Sequence, residues 1–178
     1  MKKLPSQGKV PYVEIKYKDG TTFGLYETSY IFSYFLRKFN PEKRLIPGNE
    51  VDKELAEFYV AYLEGTVSPL FIALFLSKNI NTPDSLADKF YNKPNFDRNM
   101  KNLENIMHQQ HKKGSKYLVG YQLSHADIMI LTMLNLCFLF KLLNEADYPE
   151  LFKYNQDLLH EPGYLKTKEI NKATMAKL

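Results

Sequence analysis

Residues 10–28 read VPYVEIKYKDGTTFGLYET, running from Val10-Pro11 to Glu27-Thr28. From Tyr12 to Lys18 the stretch alternates. Val13, Ile15 and Tyr17 share one face, while Tyr12, Glu14, Lys16 and Lys18 share the other. That is the period of a half-buried strand. Asp19-Gly20 predicts a two-residue turn, because both residue types tolerate positive φ. Thr21 to Tyr26 returns as a second strand, with Phe23 and Leu25 on its apolar side. A β-hairpin is therefore expected here.

A helix should follow at once. Phe32, Phe35, Leu36 and Phe39 recur at i, i+3, i+4 and i+7 and make one apolar stripe. Asn40-Pro41 ends it, since the residue before proline is pushed out of the helical region. Residues 40–51 hold Pro41, Pro47 and Gly48 among mixed charges and predict a linker.

From Asp52 onward the period is helical. Leu55, Phe58, Tyr59 and Tyr62 form one predicted stripe, and Val67, Leu70, Phe71 and Leu74 another. Gly65 and Pro69 should bend that segment, and Pro83 and Pro94 should break the next. Phe96, Met100, Leu103 and Met107 define a helix closing at Gly114. Ser124 and Asp127 stand at capping-box spacing, flanked by Leu123 and Ile128 at staple positions. Two shorter helices, Pro149–Leu159 and Pro162–Lys177, are expected to finish the chain.

The 178 residues, 44% of them hydrophobic and including 13 Tyr and 12 Phe, suffice for a packed core. The net charge is +4, and the basic residues are scattered, so no nucleic-acid groove is indicated. Cys137 is the single cysteine, which excludes an internal disulfide framework. The most apolar run, Ile128 to Phe140, falls short of the roughly 20 residues a bilayer span needs and predicts a core helix.

In order and spacing these features resemble a glutathione transferase. The segment from Gly8-Lys9-Val10-Pro11 to Phe35-Leu36 is similar to the second half of its thioredoxin-like domain. Residues 52–170 resemble its all-helical C-terminal domain. Tyr26-Glu27-Thr28-Ser29, Tyr62-Leu63-Glu64-Gly65 with Pro69, Tyr117-Leu118-Val119, Leu123-Ser124 with Ala126-Asp127, and Asp147-Tyr148-Pro149 look most like fungal, membrane-associated members. The resemblance implies a mostly α fold. A truncated thioredoxin-like α/β unit, a hairpin plus helix over 1–40, would precede an all-α domain over 52–178.

The family places a strand, a helix and a second strand before Pro11. Such a unit takes roughly 30 residues, and ten precede this position. The family's activating Tyr, Ser or Cys belongs to that first strand, so no catalytic residue is carried over. The expected function is conjugation of glutathione to electrophiles, or peroxide reduction, weakened or lost for want of that strand. The alternative is a non-catalytic transferase-like binding or scaffold protein, as in a translation complex. By resemblance the partners are glutathione, as substrate, and an apolar electrophile, in a cytoplasmic homodimer. Peripheral association with a membrane such as the endoplasmic reticulum stays open.

Four residues are candidates for glutathione. Glu27 offers an anion for the γ-glutamyl ammonium. Thr28 offers a hydroxyl and an N–H at a helix start, where dipole and unpaired donors favour a carboxylate. As residues alone, Thr28 or Ser29 could equally be an N-cap and Glu27 a solvated turn residue. The resemblance further implies a cis Pro11, leaving the Val10 backbone to pair with the cysteinyl amide, and Lys9 near the glycyl carboxylate. Elsewhere, Tyr59 and Tyr62 at helical spacing predict packing. His108 and His111 predict a solvated helix end, not a metal site. Cys137 is expected to be inert.

Overall fold

The computed structural model describes residues 10–40, 42, 44–79 and 88–175. Two compact units divide the chain between Leu45 and Ile46, inside the predicted linker.

The first unit opens with β1 (Tyr12–Lys16) and β2 (Thr22–Tyr26), an antiparallel pair in which Tyr12 faces Tyr26 and Lys16 faces Thr22. The turn is longer than expected. Tyr17 N–H still donates to Thr21 O at 2.8 Å, which leaves Lys18, Asp19 and Gly20 as the loop. Gly20 takes φ 86°, and Asp19 Oδ1 accepts the Thr21 N–H at 2.9 Å. A left-handed third loop residue lets the two strands keep their twist. Helix α1 (Thr28–Phe39) follows. Its buried residue is Ile31, whereas Phe35 and Phe39 are exposed, so the predicted aromatic stripe is not its inner face. Size misled the periodicity here: the smaller Ile31, beside the stripe, takes the packed position.

The second unit is helical. α2 (Glu50–Tyr62) and α3 (Ser68–Asn79) are joined by a π-helical turn, Leu63–Val67. The expected bend at Gly65 and Pro69 takes this form. Proline in a helix removes a donor and crowds the carbonyl four residues earlier, here that of Gly65. The wider turn accommodates this, with Ser68 N–H reaching back to Leu63 O. By length and composition the stretch Glu50–Lys78 is apolar enough to cross a bilayer. Its inner row, Ala56, Val60, Leu63, Val67, Leu70 and Leu74, nevertheless belongs to the core cluster. On α2 the predicted row is displaced: Leu55 and Phe58 are exposed while Ala56 and Val60 pack. Small side chains let α2 approach α5 (His125–Leu139), which bulkier ones would hold off.

Helix α4 (Lys93–Lys112) carries Pro94 in its first turn and follows directly on a π-helical turn, Asp88–Asn92. Pro94 thus lies where π-helical turns give way to α-helical ones, and Pro83 lies outside the described residues. Phe96, Met100, Leu103 and Met107 are all fully buried, as their spacing predicts. Burying such side chains contributes roughly 1.5–3 kcal/mol each. α6 (Pro149–Leu159) crosses α4 and α5, and α7 (Pro162–Met175) closes the described chain. Gly120 takes φ 60°, a left-handed conformation that other residues adopt only with strain, and Asp52 Oδ2 lies 2.6 Å from where a Cβ would stand.

Candidate functional site

The hairpin register sets the site. Because Tyr12 faces Tyr26, the residues just before β1 and just after β2 meet at one end. That end carries Val10 and Pro11 on one strand and Glu27 and Thr28 on the other. The Val10–Pro11 peptide is cis. Val10, Glu27 and Thr28 are all solvent-exposed. Lys9, the fourth candidate, lies outside the described residues.

Glu27 itself is the N-cap of α1, and Thr28 is the first helical residue, so neither Thr28 nor Ser29 caps. Glu27 has φ 92° and ψ 110°, and its side chain does not cap the helix. Its carbonyl accepts Ile31 N–H at 3.0 Å, the first bond of the helix. Left-handed φ on a non-glycine residue is uncommon and costs of order 1–2 kcal/mol. The turn thus presents an exposed carboxylate beside the first N–H groups of a helix. That pairing of an anion with oriented donors suits a zwitterionic amino-acid group.

The other sequence candidates resolve into structure. Tyr59 and Tyr62 are half-buried, with Tyr62 stacked on Phe58 and donating to Asn99 Oδ1 at 2.5 Å. Burial pushes both phenols above their ordinary range. His108 and His111 do not form a solvated helix end. Both turn Nδ1 to the Glu150 carboxylate at the start of α6, His108 at 2.8 Å. Sequence spacing missed this because Glu150 is 39 residues beyond His111. Among the described residues no group of three or more His, Cys, Asp or Glu is arranged to hold a metal. Burial raises the Cys137 thiol to about 12 and keeps it protonated.

In the helical unit the predicted capping box is present. Ser124 N–H and Oγ both reach Asp127 Oδ2 at 2.8 Å. Leu118 N–H reaches Asp127 Oδ1 at 2.8 Å, which ties the preceding loop to α5.

This arrangement matches the C-terminal domain of glutathione S-transferases over residues 64–166, more than half of the chain. The chain belongs to the glutathione S-transferase family. Glutathione S-transferase 1 of Saccharomyces cerevisiae is 28% identical over 180 residues, covering 95% of this chain and 76% of that one. Among solved structures, the transferase Ure2p5 of Phanerochaete chrysosporium, cocrystallized with 1-(S-glutathionyl)-2,4-dinitrobenzene, superposes with a TM-score of 0.72 at 19% identity. The match covers 97% of this chain and 79% of Ure2p5. URE2P6 of the same organism, in complex with oxidized glutathione, gives 0.75 at 17% identity over 94% of this chain and 74% of that one. At these identities the superpositions establish a glutathione transferase fold, with a hairpin and helix ahead of the helical domain.

Proposed function

We propose that this transferase-family chain binds glutathione at the open end of its hairpin and serves glutathione conjugation to an apolar electrophile. The observation that carries this is the left-handed backbone at Glu27, which leaves its carboxylate exposed at a helix start. In this reading Glu27 meets the γ-glutamyl ammonium. Thr28 and the first N–H groups of α1 meet the γ-glutamyl carboxylate, and the Val10 main chain pairs with the cysteinyl amide. The solved relatives crystallised with oxidized glutathione and with a glutathionyl dinitrobenzene support the ligand.

Retention on immobilised glutathione tests the reading. The folded chain should be retained and released by free glutathione, and Glu27→Gln and Thr28→Ala should pass through. A folded wild-type chain that passes through removes it. Conjugation is then scored with a dinitrophenyl halide. The same proposal includes a cytoplasmic homodimer. The exposed row Val51, Leu55 and Phe58 on α2 supports a partner surface, and sedimentation equilibrium measures it.

A further inference from the structure

Helix α7 packs against α6 and stands off α5, and the gap left between them is a cavity of about 510 Å³. Its apolar wall is Leu123, just ahead of α5, with Ile128 and Leu131 on α5 and Leu158 at the end of α6. Ile128 and Leu131 flank the buried row Ala126, Ile130 and Leu134, yet they stay only half-buried. A helix that is apolar all round is ordinarily covered on every side. Here one flank of α5 keeps open space over it.

In a chain of net charge +4, the described lining holds no Lys, Arg or His and two carboxyl groups. Asp127 is fully engaged. Its Oδ1 takes Leu118 N–H and the Tyr154 hydroxyl, and its Oδ2 takes Ser124 N–H and Oγ. Glu161 is engaged on one oxygen. Its nearly buried side chain accepts Lys116 Nζ at 2.7 Å and the Tyr117 hydroxyl at 3.0 Å, both on Oε1. Among the described residues nothing donates to Oε2. A carboxylate has about four acceptor positions, so Glu161 keeps capacity for a further donor. Tyr164, three residues on, shares that side of α7 and lines the same cavity half-buried. A carboxylate with an open oxygen, an aromatic ring and an apolar wall together suit an ammonium group on an apolar body.

We propose that this cavity binds a protonated amine with an apolar body, its ammonium meeting Glu161 Oε2 and the Tyr164 ring and its body lying on Leu123, Ile128 and Leu131. The site lies wholly in the helical unit and does not rest on the reading of the hairpin end.

Fluorescence titration of the full chain at neutral pH with dansylcadaverine, a primary amine, and with its uncharged N-acetyl form tests this. The amine should saturate one site, and the acetylated dye should bind roughly tenfold more weakly, as expected when one charge-assisted contact is lost. Glu161→Gln should bring the amine down to the level of the acetylated dye. Lys116→Met should strengthen amine binding, because it removes the ammonium that shares the Glu161 carboxylate. A purely structural Glu161–Lys116 pair would make both variants act in the same direction, so the opposite signs separate a ligand role from a folding one. Added glutathione should not displace the amine. The proposal is overturned by the absence of saturable amine binding, by equal affinity for the acetylated dye, by an unaltered Glu161→Gln, by weakened binding in Lys116→Met, or by displacement with glutathione.

Discussion

The Tyr154 hydroxyl, on α6, donates a 2.7 Å hydrogen bond to Oδ1 of Asp127, in the first turn of α5. Asp127 is fully buried and also receives Leu118 N–H, Ser124 N–H and Ser124 Oγ. Burial raises its pKa, against the lowering effect of those four donors. Asp127→Ala strands two buried backbone donors and removes a cap. It should cost about 3–4 kcal/mol. Tyr154→Phe loses one bond and should cost about 1 kcal/mol. Urea unfolding of both variants and of the double variant measures their coupling. A loss below about 1 kcal/mol for Asp127→Ala would show that the network is dispensable.

Glu27 separates folding from binding. Glycine relieves the left-handed backbone but loses more entropy on folding, so Glu27→Gly should leave stability unchanged or raised by up to about 1 kcal/mol. Retention on immobilised glutathione should nevertheless disappear. A variant that unfolds more easily yet still binds would reverse the assignment.

Glu150 gives an acid dependence. The imidazole of His108, then that of His111, holds its carboxyl below the ordinary glutamate range. An acid whose folded pKa lies below its unfolded one adds stability above the unfolded value and loses it as pH falls through the folded value. Stability should therefore decline below roughly pH 4.3. Glu150→Gln should flatten that part of the curve. Denaturant midpoints taken between about pH 7 and pH 3 decide the matter.

Cys137, with its thiol raised to about 12 by burial, should not react with a disulfide reagent at mildly alkaline pH in the folded chain. Full reaction should appear only in denaturant. Rapid labelling under native conditions would mean that α5 opens readily.

The sequence carried the hairpin, the capping box at Ser124 and the inner row of α4, because each rests on neighbours a few residues apart. It misplaced the inner faces of α1 and α2. There the large apolar residues Phe35, Phe39 and Phe58 lie outside, and Ile31, Ala56 and Val60 pack. Hydrophobic period fixes spacing along a helix, not which side a neighbour will press. Glu27-Thr28 was legible as a pair, but the left-handed backbone between strand and helix was not, since glutamate gives no sign of it. Leu123, Ile128, Leu131 and Glu161 give no sign in sequence of a shared cavity, and only the placing of α7 beside α5 and α6 encloses it.

The π-helical turn at Leu63–Val67 amounts to one residue more than a regular helix needs. One residue is roughly 100° of rotation, so everything from Ser68 onward is dialled to a new bearing relative to α2. Deleting a single residue there would leave the helix unbroken yet swing Leu70, Phe71 and Leu74 away from the core. Any relative lacking that extra residue must greet its neighbours with a different row, and a comparison of sequences through this point needs a one-residue gap to stay in phase.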